Sequence, residues 1–222
     1  MPNFLRRMFD RVALNDQSYA YLFARPGTEE VISLDCETTG FDPRVDDVIS
    51  IAAIPITGDR IRTSEAFRAV INPEAALEGP SIKVHQLRKQ DVERGRHMRH
   101  VMPELLRFIG NRPLVGYWIA FDASMLNKHV FRLLNIRLPN AQIDVSDLYY
   151  ERKYGNAPPG TTIDLRFAAI LDDLGLPSLP AHDAFNDAVM AAQAFVMLKD
   201  MRARGLRVTR PRSPYSMPMT LG

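Results

Sequence analysis

The amino-acid sequence predicts an α/β protein in which a mixed sheet of five strands is flanked by helices. Three β-rich segments come first, and shorter strand-like segments then alternate with segments whose apolar residues recur at helical spacing. The chain has 222 residues, of which 46% are hydrophobic and 24% are charged. This size and composition are typical of one globular domain that can bury a substantial core.

The three opening strands are predicted at residues 30–35, 48–56 and 61–71. The first is a short β-branched run that ends in the carboxylate of Asp35, and a turn sequence, Thr38-Thr39-Gly40, follows it. The second and third strands are joined through residues 57–60, Thr-Gly-Asp-Arg, which favour a hairpin. Asn72-Pro73 ends the third strand, so three consecutive antiparallel strands are expected.

Helices and strands alternate through the rest of the chain, after a polar and irregular stretch at residues 80–100. Helices are predicted at 101–109, 122–134, 161–174 and 184–205, and short strands at 113–117 and 142–145. The apolar faces of two of these helices are formed by Leu126, Val130, Leu133 and Leu134, with Asp122, and by Ala184, Ala188, Ala191, Phe195 and Leu198. Gly205 ends the last helix, and the predicted order is βββαβαβαα.

Composition excludes several classes of protein. The single cysteine, Cys36, excludes an intramolecular disulfide and a zinc site built from cysteine clusters. It favours a reducing, cytoplasmic compartment. No segment approaches the roughly 20 apolar residues of a membrane-spanning helix, so no membrane contact is expected. The formal net charge of +2 is too small to indicate nucleic-acid binding by itself, so any phosphate recognition must be local.

We divide the chain into an N-terminal helical extension at 1–24, a central domain at 25–205 and a C-terminal tail at 206–222. Apolar and arginine side chains are interspersed in the extension, which predicts an amphipathic helix that docks on the domain or on a partner. An organelle-targeting peptide is the alternative. The tail is basic and proline-rich, which predicts a flexible segment. Its arginines either hold the backbone of a nucleic-acid strand or stay solvated.

Four carboxylates are candidates for a single site. Asp35 and Glu37 are two residues apart on a strand, so their side chains project from one face, at the strand end where α/β sheets place their sites. An ordinary surface pair is the alternative. Asp122 faces the core side of its helix, where an ionised carboxylate needs a partner; a helix N-cap or a buried arginine would also explain it. Asp187 lies one position from the apolar face of the last helix and is also expected to point inward.

Convergence of four acids predicts a metal site, because their mutual repulsion raises their pKa values unless cations are present. Oxygen donors without cysteine favour Mg²⁺ or Mn²⁺, and two such ions roughly 3.5–4 Å apart are a known device for phosphodiester cleavage. His182 lies five residues before Asp187, just ahead of the last helix, from where it can reach a water at the metal site. A structural or surface histidine is the alternative.

These residues fall in three ordered motifs that resemble those of the DEDDh exonucleases, the family that includes the proofreading ε subunit of the bacterial replicative DNA polymerase III. Residues 31–41, Val-Ile-Ser-Leu-Asp-Cys-Glu-Thr-Thr-Gly-Phe, resemble the first motif. Residues 120–122, Ala-Phe-Asp, resemble the end of the second, and residues 182–188, His-Asp-Ala-Phe-Asn-Asp-Ala, resemble the third. Residues 67–73 and Val84-His85 resemble connecting segments of the family.

The resemblance implies a ribonuclease H-like fold. It also implies that Asp35, Glu37, Asp122 and Asp187 bind two divalent ions, Mg²⁺ or Mn²⁺, with Asp35 bridging them. His182 would be the general base that takes a proton from the attacking water.

Substrate contacts are predicted on the same basis. Family members pack the residues after the first acidic pair around the terminal nucleotide, which implies contacts from Thr38, Thr39 and Phe41. The ring of Phe41 can stack on the final base, a contact worth roughly 1–3 kcal/mol. His85, in its connecting segment, is added to this set. The second motif of the family commonly begins His-Asn, whereas this chain has Tyr-Trp there, and Trp118 either stacks on a nucleotide or fills the core.

The predicted function is therefore metal-dependent 3′→5′ exonuclease activity on DNA, at single-stranded or frayed 3′ ends, with release of nucleoside 5′-monophosphates in proofreading or repair. A polymerase is an expected partner. An exoribonuclease that trims RNA is one alternative, because the contacts that read the 2′-hydroxyl are not visible in the sequence. A non-catalytic relative that binds nucleic acid or a polymerase is the other, although the chain retains all five catalytic positions.

Overall fold

The computed structural model describes residues 4–73 and 92–209, with side chains from residue 6. Within these ranges the helices are α1 (Phe4–Ala13), α2 (Met98–Ile109), α3 (Ile119–Leu134), α4 (Val145–Lys153), α5 (Phe167–Asp173) and α6 (Ala184–Ala203). The strands are β1 (Val31–Thr38), β2 (Val48–Thr57), β3 (Arg60–Ile61), β4 (Phe67–Asn72), β5 (Arg96–His97), β6 (Leu114–Gly116) and β7 (Gln142–Asp144). Short 3₁₀ helices lie at Gln17–Phe23 and Thr63–Glu65.

The strands form one mixed sheet in the order β5-β4-β2-β1-β6-β7, and β3 pairs with β2. Strand β2 is antiparallel to both β1 and β4, whereas β1 and β6, and β6 and β7, are parallel. The predicted α/β class and ribonuclease H-like fold are confirmed. The five predicted strands correspond to the five longer ones, and the described residues add the two-residue strands β3 and β5.

Helices cover both faces of this sheet. The face of β1 that carries Ile32 and Leu34 packs against α2, α3 and the N-terminal segment, whereas the opposite face packs against α4, α5 and α6. Parallel strands require a crossover, and α3 provides it between β6 and β7. The carboxyl ends of β1 and β6 and the amino end of α3 consequently meet at one edge of the sheet.

The segment ahead of β1 packs on the domain through residues 14–23 and Arg7. Leu14, Tyr19, Leu22 and Phe23 belong to the same buried cluster as the core of α2 and α3. The guanidinium of Arg7 donates to carbonyl oxygens on both sides of this contact, Pro139 at 2.9 Å and Phe23 at 3.0 Å. The amphipathic pattern of α1 itself is not what docks it, since Met8, Phe9 and Val12 are exposed.

Four details of the predicted elements are wrong. Helix α4 was not expected; it follows β7 directly because the Asp144 side chain caps it by accepting a hydrogen bond from the Ser146 amide. Helix α5 occupies only the second half of the predicted 161–174 helix. The predicted strand at 61–71 is divided into β3, a 3₁₀ turn and β4. Leu133, placed on the apolar face of α3, is exposed, whereas Leu126, Val130 and Leu134 are buried.

At the carboxyl end, Gly205 follows α6 with a positive φ of 67°, as expected of the residue that ends a helix. The chain still packs beyond it, because Val208 is buried and its amide donates to the Arg152 carbonyl on α4. The tail from residue 210 lies outside the described residues. Among the described helices, none is both long and apolar enough to cross a lipid bilayer.

Candidate metal centre and active site

Strand β1 supplies two of the candidate acids. Asp35 and Glu37 point to the face of the sheet covered by α6, on the same side as Ser33, whose hydroxyl donates to the Ala188 carbonyl of α6 at 2.7 Å. The register of β1 with β2 shifts between Glu37 and Thr38, where the strand leaves the ladder. The Ser33 bond fixes β1 against the helix that carries Asp187.

Asp122 lies in the first turn of α3 and is 4% exposed. Its Oδ1 accepts a hydrogen bond of 2.9 Å from the backbone amide of Cys36, the residue between the two acids of β1. Neither alternative explanation of Asp122 holds: Trp118 is the N-cap of α3, and within residues 4–73 and 92–209 no arginine pairs with Asp122. The carboxylate is anchored to β1 itself.

Asp187 lies in the first turn of α6, and its Oδ2 accepts from the backbone amide of His182 at 3.1 Å. One carboxylate oxygen each of Asp35, Glu37 and Asp187 lies within 4.8 Å of the other two. The structure therefore brings three of the four predicted acids into a single cluster. Asp122 lies outside this 4.8 Å group, although its charge acts on Asp35.

The electrostatics of the cluster are those of crowded, partly desolvated acids. Burial, together with the charges of Asp122, Asp187 and Glu37, raises the pKa of Asp35 well above its usual range. Burial also raises the pKa of Asp122 well above its usual range, with Glu37 contributing, although the Cys36 amide opposes the shift. Burial and the charge of Glu37 raise the pKa of Asp187 to about 6.

The donor set fits hard divalent cations. Carboxylate oxygens from two strand residues and one helix residue converge, and the buried thiol of Cys36 belongs to the opposite core cluster. Such a group of negative charges is costly unless it is protonated or neutralised by a cation. Oxygen ligands of this kind suit Mg²⁺ and Mn²⁺ better than zinc.

His182 is exposed beside this cluster and has a left-handed backbone, with φ of 63°. Hydrogen bonds hold its segment on the start of α6: the Asp183 side chain accepts from the Asn186 amide at 3.0 Å, and the Asn186 side-chain amide donates to Pro180 at 3.0 Å. His182 is thus an exposed residue whose backbone amide is bonded to Asp187, a member of the acidic cluster.

The loop after β1 carries the predicted nucleotide contacts. Phe41 is 89% exposed, and its ring lies 6.0 Å from that of Phe121 on α3. Thr38 and Thr39 are used to shape this loop: the Thr38 hydroxyl donates to the Gly40 carbonyl at 2.7 Å, and the Thr39 hydroxyl donates to Asp46 at 3.0 Å. Their side chains therefore build the loop that presents Phe41.

Trp118 does not fill the core, because 63% of its surface is exposed. Its ring stacks on Tyr117, whose ring stacks in turn on Phe167 with centroids 4.6 Å apart. The Tyr117 hydroxyl donates to the Leu165 carbonyl at 3.0 Å. This aromatic ladder supports Trp118 at the amino end of α3, next to the turn that carries Asp122. His85 lies outside the described residues.

Two features of the site were missed in the sequence. Asp144 is the last residue of β7 and adds negative charge near Asp122. Like Asp35, it is a carboxylate in a short predicted strand, and that pattern could have identified it as a site residue. The second is a buried pair, with His129 Nε2 2.7 Å from Asp47 Oδ1. These residues are 82 positions apart, and no local pattern in the chain joins them. The pair ties the loop after β1 to α3.

Comparison with known proteins places this geometry in a family. The family described as "Exonuclease" (RNase_T) matches residues 32–195. The PolC-type DNA polymerase III of Thermotoga maritima is 27% identical over 179 residues, which cover 79% of this chain and 12% of that polymerase. The DNA polymerase III subunit epsilon of Aquifex aeolicus is 25% identical over 167 residues, which cover 75% of this chain and 79% of that subunit.

A solved structure gives the same result for the fold. Exonuclease I of E. coli, in a zinc-bound complex with single-stranded DNA, aligns with a TM-score of 0.67 at 16% sequence identity. The alignment covers 80% of this chain and 42% of that one, so the chain spans less than half of that exonuclease. The family match contains Asp35, Glu37, Asp122, His182 and Asp187, and the resemblance to the DEDDh exonucleases is confirmed. The chain belongs to the exonuclease family.

Proposed function

We propose that the protein is a metal-dependent 3′→5′ exonuclease that removes nucleoside 5′-monophosphates from the 3′ end of DNA. The observation that carries the proposal is the convergence of carboxylate oxygens from Asp35, Glu37 and Asp187 within 4.8 Å at the sheet edge, with Asp122 hydrogen-bonded to the strand between them. Membership of the exonuclease family supports the reaction class.

Each acid has a role in this proposal. Asp35, Glu37, Asp122 and Asp187 would hold two Mg²⁺ or Mn²⁺ ions, with Asp35 shared between them. The ions would supply Lewis-acid chemistry at the scissile phosphate and stabilise charge on the attacking and leaving oxygens. The Ser33 bond to Ala188 and the Cys36 bond to Asp122 keep the strand and both helices in register, so the acids are preorganised before a nucleotide arrives.

His182 would act as the general base. Its imidazole takes a proton from the water that attacks the terminal phosphorus, and the bond from phosphorus to the 3′-oxygen of the preceding nucleotide breaks. The leaving 3′-oxygen takes a proton from solvent, so the products are a nucleoside 5′-monophosphate and a strand one residue shorter that ends in a 3′-hydroxyl. The exposed position of His182 at the head of α6 allows it to reach a bound strand end.

The terminal nucleotide would bind between the loop after β1 and the aromatic ladder. Phe41 and Trp118 are both exposed aromatic rings, on the loop after β1 and at the start of α3, and every base has a face on which such rings can stack. Thr38 and Thr39 hold the loop, and His85 remains a predicted contact. Stacking is independent of base identity, which suits an enzyme that shortens any sequence.

DNA is proposed as the substrate because the relatives described above are named as DNA polymerase chains and the matched exonuclease I is in complex with single-stranded DNA. The same names support a polymerase as a partner. A cytoplasmic location stays a prediction from the single cysteine.

The test is the shortening of end-labelled strands. The protein is incubated with 5′-labelled single-stranded DNA, mismatched duplex and RNA of one sequence, with Mn²⁺ and with EDTA. The proposal expects a ladder that descends from the 3′ end with Mn²⁺, strongest on DNA, and none with EDTA. Full-length DNA after prolonged incubation with Mn²⁺ would overturn the proposal. Faster shortening of RNA than of DNA would mean that RNA is the substrate.

A further inference from the structure

The loop that carries Phe41 is closed at its base by paired hydrogen bonds. We call residues 39–47, which join β1 to β2, the Phe41 loop. The Thr39 amide donates to the Asp47 carbonyl at 2.8 Å, and the Asp47 amide donates to the Thr39 hydroxyl at 2.9 Å. The same hydroxyl donates to the Asp46 carboxylate at 3.0 Å. The loop therefore has a fixed internal shape, and the position of its base decides where Phe41 lies.

Two neighbouring residues of α3 hold this base. The carboxylate of Asp47, which is 2% exposed, lies 2.7 Å from His129 Nε2 and 3.3 Å from Lys128 Nζ. Lys128 also donates to the Asp46 carbonyl at 2.6 Å. A buried carboxylate is costly unless donors or cations surround it, so these contacts hold Asp47 firmly. We call Asp47, Lys128 and His129 the strut, since they join the loop to the helix that carries Asp122.

The Phe41 loop connects the strut to the acidic cluster. It begins two residues after Glu37, whose carboxylate belongs to that cluster. At its other contact with α3, the ring of Phe41 lies 6.0 Å from that of Phe121, the residue before Asp122. Because Phe41 is 89% exposed, this one ring contact leaves it free to shift. The strut, roughly two turns further along α3, supplies a second and buried point of attachment.

We propose that Asp47, Lys128 and His129 are positioning residues that place Phe41 relative to the acids and so set the affinity for the terminal nucleotide. The inference rests on the proposed function, since it takes Phe41 as the ring on which the terminal base stacks. Asp47 and His129 are too deeply buried to touch a nucleotide themselves. Without the strut, the loop moves relative to α3 while the acids stay in place, so KM rises and kcat is retained.

The test is a double-mutant cycle between the strut and Phe41. His129→Leu removes the imidazole from Asp47 and keeps a bulky side chain at this buried position. KM for single-stranded DNA with Mn²⁺ should rise by about 5–150-fold, the range expected when one stacked base is lost, with kcat little changed. In a Phe41→Ala background, His129→Leu should raise KM by less than about twofold, because the stacking that the strut controls is already gone.

Two further variants separate positioning from general stability. His129→Gln places an amide donor near the position of Nε2 and should restore most of the lost affinity. Tyr149→Phe is the matched control: it removes a buried hydrogen bond to Asp173 on the opposite face of the sheet, and should lower stability without changing KM. If His129→Leu does not fold, Lys128→Met at a partly exposed position provides the same cycle.

The outcomes distinguish this proposal from the proposed function. An unchanged KM in His129→Leu, or equal rises in KM with and without the Phe41 ring, would overturn the strut and leave the exonuclease activity standing. If the unaltered chain cuts no DNA, the proposed function fails. The same cycle is then measured as the Kd for 5′-fluorescein-labelled single-stranded DNA, by anisotropy with Mn²⁺. A loss of affinity that depends on Phe41 supports the strut, and an absence of binding or equal losses in both backgrounds overturns it.

Discussion

Replacing Asp35 by Asn should stabilise the metal-free protein while it abolishes activity. In the absence of cations, Asp35 is crowded by the carboxylates of Glu37 and Asp187 within 4.8 Å, and burial adds to the cost of its charge. Asn has nearly the same shape and no charge. The substitution therefore removes repulsion without creating a cavity.

The magnitude follows from the distances. Two unit charges 4.8 Å apart at an effective dielectric constant of about 20 repel by about 3.5 kcal/mol. The cost of placing Asp35 in this cluster cannot exceed the cost of protonating it. For a carboxyl group with an unfolded pKa of about 3.9, that cost is about 4 kcal/mol at pH 7. We therefore expect Asp35→Asn to stabilise the metal-free chain by about 3 kcal/mol, or about 6–12 °C in Tm.

The pH dependence has a definite sign. Since the pKa of Asp35 is raised on folding, the native state binds a proton that the unfolded chain releases, and the stability of the unaltered chain falls as pH rises above about 4. The advantage of Asp35→Asn should therefore vanish as pH falls toward 4.

Thermal unfolding in EDTA and in Mn²⁺, at pH 4 and pH 7, provides the assay. Mn²⁺ at 100 times its Kd should stabilise the unaltered chain by about 2.7 kcal/mol and Asp35→Asn by much less. Asp59→Asn, in the exposed β2–β3 turn, is the control and should change neither Tm nor the response to Mn²⁺. A variant that melts at or below the unaltered chain in EDTA at pH 7 would refute the electrostatic argument.

Three further substitutions test the site. His182→Ala should lower kcat by about 10²–10⁴-fold and leave stabilisation by Mn²⁺ intact; loss of that stabilisation would mean a structural role. Phe41→Ala should change stability by less than about 0.5 kcal/mol because the ring is exposed, yet raise KM for DNA by about 5–150-fold through lost stacking, and unchanged kinetics would remove Phe41 from the nucleotide site. Gly40→Ala should destabilise the protein by about 1–3 kcal/mol and raise KM, because a Cβ there would lie 2.5 Å from the Asp46 carboxylate. If neither the free energy of unfolding nor KM changes, the Asp46 side chain moves aside at no cost and the argument is wrong.

The elements that the sequence predicts well are those with a clear run of apolar residues or apolar residues at every turn. Strand β1 begins with a mostly apolar run at residues 31–34, and α6 presents an apolar residue at every turn from Ala184 to Leu198. Packing then follows the local pattern. Helix α4 has no such pattern, because Val145 and Tyr149 are its only buried apolar residues. It also begins directly after β7, with no turn sequence between the two to mark where the helix starts.

The sequence predicts which residues form the candidate site but not the contacts that they make. The acid motifs identify Asp35, Glu37, Asp122 and Asp187 because each follows an apolar strand or lies beside the apolar face of a helix. The bond between the Cys36 amide and Asp122 joins positions 86 residues apart, and such a contact depends on the tertiary arrangement. For the same reason, the sequence does not show whether Trp118 is exposed or buried in the core.

Residues 14–23 pack as part of the domain rather than as an appendage. Four of their side chains, those of Leu14, Tyr19, Leu22 and Phe23, fill space under α2 and α3. At about 1.5–3 kcal/mol for each large apolar side chain, their removal would forfeit about 6–12 kcal/mol, comparable to the whole stability of a typical domain. A chain that begins at residue 25 should therefore be destabilised by a comparable amount, which chemical unfolding would measure.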